Sequence, residues 1–279
     1  MKYYLGIDVG SVSTKLVVLN DGWNLAAHAC LPTHGEPAEA VNNWLRLIQS
    51  HFPSGPELSR VAITGSGREF IAELVGADLV KNEVTCQAAA AARYLPGART
   101  VIEIGGQDSK IILIRDGLVS DFGMNTVCAA GTGSFLDHQA QRLGLSLEKF
   151  GETACRSSAP AHLSGRCTVF AESEMIHMQQ GGTKLEDVVF GLCLTLAHNY
   201  LNSVAAGKEI VAPVIFQGGL AYNRGMVRAL EEEIKIKMVI PEHPELMGAI
   251  GAALLAAQQP MNNTTNFKGF NITSVSDKR

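Results

Sequence analysis

Short apolar runs, each closed by a glycine or an Asp-Gly turn, organise both halves of the chain. Tyr3 to Val9 is apolar and rich in strand formers, and it runs into Asp8-Val-Gly-Ser-Val-Ser-Thr-Lys15. Leu16 to Leu19 reads as a second strand, Asn20-Asp-Gly22 as a hairpin turn and Leu25 to Leu31 as a third strand. Over Pro37 to His51 the period lengthens: Ala40, Val41, Trp44, Leu45 and Ile48 fall on one helical face. Arg60 to Thr64 is a short strand, and the turn Gly65-Ser-Gly67 follows it.

A second copy of this pattern starts near residue 100. Thr100 to Ile104 is an apolar strand ending in Gly105-Gly-Gln-Asp-Ser-Lys110. Ile111 to Ile114, the turn Arg115-Asp-Gly117 and Leu118 to Phe122 come next. The agreement in order and spacing predicts an internal duplication. Residues 131–207 read as mostly helical, with Leu185 to Ala206 as one helix in which Cys193 and His198 are packing residues. Pro213 to Gln217 is a buried strand ending in Gly218-Gly-Leu-Ala. Gly225 to Glu233 is a helix, Lys237 to Ile240 a strand and Pro244 to Gln258 a Gly/Ala-rich helix. From Pro260 to Arg279 the chain turns polar and loses periodicity, which predicts a disordered tail, partly foreign to the fold.

Composition narrows this picture in three ways. A chain of 279 residues suits two domains rather than one. Hydrophobic content of 46%, charged content of 18% and net charge of -4 describe a globular protein with no general electrostatic attraction to nucleic acid or an anionic membrane. The apolar run Leu246 to Ala257 is too short to span a bilayer, and the first residues enter a strand at once, without the apolar core of a signal peptide. A cytoplasmic location is therefore expected. Six cysteines in a reducing compartment are not a disulfide framework, and no CxxC pair exists for a zinc ribbon or thioredoxin site.

Two of the cysteines stand out. Cys128 precedes the glycine turn Gly131-Thr-Gly133 and a helical run, and Cys167 sits in a comparable place in Ser164-Gly-Arg-Cys-Thr-Val-Phe170. Unpaired N–H groups at a helix start favour a thiolate, a phosphate or an anionic cluster. Two such cysteines doubled by a two-fold axis would supply the four ligands of an iron–sulfur cluster. Cys30, Cys86, Cys155 and Cys193 lack these surroundings and read as core or surface thiols.

Three glycine turns each follow a buried strand: Asp8-Val-Gly10, Gly105-Gly106 and Gly218-Gly219. Glycine lets the backbone approach phosphate oxygens closely. Ser11, Ser13 and Thr14 add hydroxyl donors, Lys15 a cation, and Asp8 and Asp108 carboxylates suited to hydrated Mg²⁺. Gln107 is placed to orient a water. Neither a GxxxxGK[ST] loop nor a complete dinucleotide fingerprint is present.

Gly6-Ile-Asp-Val-Gly-Ser, Glu103-Ile-Gly-Gly-Gln-Asp and Gln217-Gly-Gly-Leu-Ala resemble the first phosphate, second phosphate and adenosine loops of the superfamily of acetate and sugar kinases, heat-shock chaperone ATPases and actin. That resemblance implies an α/β fold of two ribonuclease-H-like domains of the actin-like ATPase superfamily with an interdomain nucleotide cleft. The domains fall at 1–98, rejoined by the helix near 245–257, and at 99–257, with 260–279 as the tail. Cys128-Ala-Ala-Gly-Thr-Gly-Ser-Phe-Leu and Cys167-Thr-Val-Phe-Ala-Glu-Ser-Glu are similar to the activators of 2-hydroxyacyl-CoA dehydratases, relatives of the ATP-binding subunits of benzoyl-CoA reductase.

What this second resemblance implies is an ATP-dependent, low-potential electron donor. One 4Fe–4S cluster per homodimer would be ligated by Cys128 and Cys167 of each subunit. ATP or ADP with Mg²⁺ would lie on Gly10, Ser11, Val12, Ser13, Thr14, Lys15, Gly105, Gly106, Gly131, Thr132, Gly133, Gly218, Gly219 and Leu220, with Asp8, Gln107 and Asp108 as catalytic residues. The implied partners are an iron–sulfur dehydratase or related double-cluster reductase, and ferredoxin or flavodoxin as upstream donor. Thr126, Val127 and Ser134 stand where the resembling activators often carry charged residues. A cluster-free ATPase or small-molecule kinase of the same superfamily is the alternative, kept open by Asp108.

Overall fold

The computed structural model describes residues 2–51, 58–125, 131–163, 168–260 and 264–271. In chain order the elements are β1 (Tyr3–Val9), β2 (Ser13–Asn20), β3 (Leu25–Pro32), α1 (Pro37–His51), β4 (Leu58–Thr64), α2 (Arg68–Val75), β5 (Leu79–Val80) and α3 (Glu83–Tyr94). Then come β6 (Thr100–Ile104), β7 (Ser109–Arg115), β8 (Leu118–Asn125), α4 (Gly133–Arg142), α5 (Leu147–Cys155), α6 (Thr168–Gln180) and α7 (Leu185–Ser203). The described chain continues with β9 (Val214–Gln217), α8 (Arg224–Ile234), β10 (Met238–Val239) and α9 (Met247–Ala257). It divides into two compact units, Met1–Pro96 with Glu245–Arg279, and Gly97–Pro244.

Each unit is built on a five-stranded sheet of one design. The first has the order β3-β2-β1-β4-β5 and the second β8-β7-β6-β9-β10. Only the second strand of each set, β2 or β7, runs against the others. This is the ribonuclease-H-like arrangement, present twice. The duplication read from the hairpins is therefore a duplication of whole sheets.

In the first unit one sheet face buries Leu5, Ile7, Val61 and Ile63 against Val41, Trp44 and Leu45 of α1 and Ile71 of α2. On the other face Tyr4, Val17 and Leu19 pack on Leu246, Ala249 and Ala253. The glycine and alanine content of α9 has a steric cause. A Cβ on Gly6 would lie 1.9 Å from the Ala249 carbonyl oxygen, and one on Gly251 would lie 1.8 Å from that of Cys86 in α3. Backbone thus meets backbone on both sides of α9.

In the second unit Ile102, Ile104, Ile111 and Phe216 pack against Leu192, Leu196 and Tyr200 of α7, Phe135 of α4 and Phe150 of α5. His198 is not a packing residue as expected. It lies on the exposed side of α7 and pairs with Glu233 of α8 at 2.9 Å, because only one face of that helix meets the core.

The tail expectation also needs correction at 264–271. These residues form no helix or strand, yet Thr265 Oγ1 and the Asn266 N–H donate to Asp78 at 2.7 and 2.8 Å. Phe267 and Phe270 stack edge to face at 5.2 Å and pack against the first unit's core. Two aromatic anchors offset the ordering cost of a segment whose composition is otherwise polar.

The close approach at α9 makes a stability prediction. Gly251→Ala should lower the unfolding free energy by about 2–3 kcal/mol, the cost of overpacking against rigid backbone. Gly219→Ala, where a Cβ meets nothing within 4 Å, should change it by less than about 0.5 kcal/mol. Urea unfolding followed by circular dichroism checks both.

Candidate functional site

The two hairpins that open the sheets match position for position at an offset of 95: 8 with 103, 10 with 105, 13 with 108 and 15 with 110. Gly10 N–H donates to the Ser13 carbonyl at 3.2 Å, and Gly105 N–H donates to the Asp108 carbonyl at 2.9 Å. Across the strands Asp8 pairs with Lys15 and with Thr64, and Glu103 pairs with Lys110 and with Gln217. Each sheet therefore presents a row of lysine, acid and polar residue at the ends of its central strands. A glycine with positive φ follows each row, Gly65 at 93° and Gly218 at 88°. A Cβ on Gly65 would lie 2.4 Å from the Val9 carbonyl oxygen, and one on Gly218 would lie 2.3 Å from that of Ile104.

In the first unit Ser11 and Val12 are exposed at the tip of the turn, and Ser13 and Lys15 are half-buried. Lys15 Nζ donates to the Ser13 carbonyl at 3.3 Å. Thr14 is different. It is fully buried, and its hydroxyl meets that of Thr33 at 3.0 Å, while Thr33 Oγ1 donates to the Gly10 carbonyl at 2.8 Å. The Thr14 side chain therefore braces the turn from within. Asp8 has no ion pair or hydrogen bond to its carboxylate among the described residues. It sits beside the start of α9, where a Cβ on Gly248 would come within 2.5 Å of Asp8 Oδ2 and 3.3 Å of Gln87 Nε2. A carboxylate without a cation at a strand end, next to glycine backbone, suits a hydrated divalent metal.

In the second unit the acid is already paired. Lys110 Nζ lies 3.0 Å from Glu103 Oε2 and 2.6 Å from Asp108 Oδ2. Tyr200 Oη donates to the Lys110 carbonyl at 2.9 Å. Burial, and then the Glu103 carboxylate, raise the Tyr200 phenol well above its ordinary value, so it stays a donor. Removing one member of such a buried pair costs about 3–5 kcal/mol, because the other charge is left uncompensated. Gln217 is fully buried, with neither side-chain amide atom partnered among the described residues.

The start of α4 lies on this second turn. Gly133 N–H donates to the Gly105 carbonyl at 2.8 Å, and Ser134 N–H donates to that of Gly106 at 2.9 Å. The Ser134 hydroxyl donates to the same Gly106 oxygen. A Cβ on Gly133 would lie 2.9 Å from the Gly105 oxygen, so glycine is what permits the contact. The sequence suggested free N–H groups here for an anion. Those of Gly133 and Ser134 are instead tied to the second turn. Gly131 and Thr132 are buried beside it.

This chain matches the family model of the BadF/BadG/BcrA/BcrD ATPases over residues 5–256. The chain belongs to that ATPase family. It is 33% identical over 267 residues to the 2-hydroxyisocaproyl-CoA dehydratase activator of Clostridioides difficile, covering 95% of this chain and 99% of that one. The crystal structure of component A of the Acidaminococcus fermentans (R)-2-hydroxyglutaryl-CoA dehydratase aligns with a TM-score of 0.83 at 34% identity, over 92% of this chain and 98% of that one. The activator of the 2-hydroxyisocaproyl-CoA dehydratase from Clostridium difficile, solved with bound ADPNP, aligns with a TM-score of 0.82 at 34% identity, over 91% of this chain and 94% of that one.

Within this ATPase fold the predicted residues fall into three groups. Asp8, Gly10, Ser11, Val12, Ser13 and Lys15 share the first turn. Gly105, Gly106, Gln107 and Asp108 share the second, with Gly131, Thr132 and Gly133 beside it. Gly218, Gly219 and Leu220 open the turn after β9, where a Cβ on Gly218 would lie 3.0 Å from Glu103 Oε1. Cys128 and Cys167 lie outside the described residues. Sequence reasoning did not single out Glu103, Lys110, Thr33 or Gln217. One signal for Lys110 was available: an acid and a lysine seven apart in both hairpins, 8 with 15 and 103 with 110. Arg68 donates to the Gly65 carbonyl at 3.1 Å and pairs with Glu69, and Glu172 pairs with Arg142 of α4.

The other cysteines behave as packing or surface thiols. Burial pushes Cys86 up to about 12, and it pushes Cys193 up as well. Cys30 and Cys155 are exposed. Iodoacetamide at pH 8 should therefore label Cys30 and Cys155 in the folded, iron-free chain, and Cys86 and Cys193 only after unfolding. Peptide mass spectrometry reads the order directly.

Proposed function

We propose that this chain is an ATP-dependent electron donor that activates an iron–sulfur dehydratase or a related double-cluster reductase. The observation that carries the reading is the docking of α4 on the Gly105–Gly106 turn, in a family of ATPases whose relatives include dehydratase activators. In this reading the matched turns hold the phosphates of ATP and, after hydrolysis, ADP. Gly10, Ser11, Val12, Ser13 and Lys15 of the first turn, Gly105 and Gly106 of the second, and Gly218, Gly219 and Leu220 after β9 are the proposed contacts. Asp8 fits Mg²⁺ because its carboxylate has no competing cation, and Gln107 orients the attacking water.

Cys128 and Cys167 of each chain are the proposed ligands of a 4Fe–4S cluster shared by a homodimer. Two cysteines per chain give the four that such a cluster requires. When bound, the cluster supplies the single low-potential electron, replenished by ferredoxin or flavodoxin. Cys128 stands five residues before Gly133 (133 − 128), where α4 begins, and Cys167 immediately precedes Thr168, where α6 begins. Any change at the second turn is passed to α4 through its two backbone hydrogen bonds. ATP drives such a change only through its different affinity for the two arrangements. The kinase alternative needs Asp108 as a free base, and Lys110 holds that carboxylate at 2.6 Å.

Anaerobic reconstitution tests the reading. The expected product is a brown dimer with about four irons, and Cys128→Ser should lose the iron while keeping ATP hydrolysis. A chain that stays monomeric and iron-free after reconstitution would contradict it.

A further inference from the structure

The two matched turns use their charges differently. In the first, the Asp8 carboxylate has no partner among the described residues, and Lys15 rests on the Ser13 carbonyl at 3.3 Å. In the second, Lys110 is 2% exposed and bridges two carboxylates of unequal depth, Glu103 at 7% and Asp108 at 33% side-chain exposure. Glu103 is the buried partner, and Asp108 is the one within reach of an incoming cation. Next to Glu103 in the register stands Gln217, whose buried amide makes neither of its hydrogen bonds among the described residues. An unmade buried pair is costly.

We propose that Lys110 is a positioning residue that competes with Mg²⁺ for the Asp108 carboxylate. The proposal rests on the ATPase reading given above. Without the metal–nucleotide, Lys110 draws Asp108 back along β7. When the cation arrives, Asp108 turns toward it, and Lys110 keeps Glu103. The Asp108 carbonyl accepts from Gly105 N–H, and the carbonyls of Gly105 and Gly106 accept from the start of α4. The exchange is therefore felt at that helix. Because part of the Asp108 population is held by lysine, the apparent metal affinity is reduced by that fraction. Removing the lysine must then tighten the dependence on Mg²⁺.

The test measures binding of a non-hydrolysable ATP analogue by calorimetry across a series of Mg²⁺ concentrations. Lys110→Met alone takes a buried cation away from the Glu103 carboxylate, so the working variant is Glu103→Gln with Lys110→Met. Its Mg²⁺ midpoint should fall by about fivefold or more, and that of Lys110→Arg should stay within about twofold of wild type. A purely structural role would move the melting temperature and the active fraction but not this midpoint. An unchanged or raised midpoint in the double variant overturns the proposal. In the wild type, the Lys110 ¹⁵Nζ resonance should shift on adding Mg²⁺ with the analogue and not with the analogue alone. No shift overturns the proposal even if the double variant fails to fold. A wild-type chain that binds no analogue at any Mg²⁺ concentration overturns the ATPase reading, and this one with it.

Discussion

The carbonyls of Gly105 and Gly106 accept the first N–H groups of α4, from Gly133 and Ser134, at 2.8 and 2.9 Å. Those donors would otherwise need water or an anion. Here they are satisfied by the backbone of the Gly105–Gly106 turn. The turn and the helix start are therefore joined backbone to backbone. Glycine at 133 is required because any Cβ would meet the Gly105 oxygen at 2.9 Å. Without this contact, α4 would be another helix packed on the sheet by Phe135 and Leu136. With it, the second turn holds the start of α4.

Duplication explains why such a turn exists, and asymmetry explains its use. Both sheets end their central strands in a lysine–acid–polar row followed by a glycine of positive φ. The first row leaves its acid without a cation, and the second neutralises its acid with a buried lysine. The observed difference leaves a carboxylate without a cation in one half and a lysine-bridged pair of acids in the other.

Much of this was legible in the sequence where local chemistry decides the outcome. The hairpin turns follow from Asn20-Asp-Gly22 and Arg115-Asp-Gly117, and α1 from the spacing of Val41, Trp44, Leu45 and Ile48. The sequence did not reveal contacts between distant residues. Thr14 reads as one more hydroxyl in a phosphate loop, and only Thr33, nineteen residues on, turns it inward. Lys110 reads only as the last residue of the Gly105-Gly-Gln-Asp-Ser-Lys110 stretch, and the register with Glu103 is what pairs it. The N–H groups of α4 read as free, and only the return of the chain onto Gly105 occupies them. Polar composition in the tail conceals Phe267 and Phe270, whose packing depends on the first unit's core.

Amide hydrogen exchange at Gly133 and Ser134 tests the central claim most directly. The comparison is the nucleotide-free chain against the chain saturated with Mg²⁺ and a non-hydrolysable ATP analogue. If the turn and the helix form one mechanical piece, protection at Gly133 and Ser134 should change by about tenfold or more, in step with Gly105. If the amides of residues 105–108 change while those of Gly133 and Ser134 stay the same, the link between nucleotide and helix does not exist.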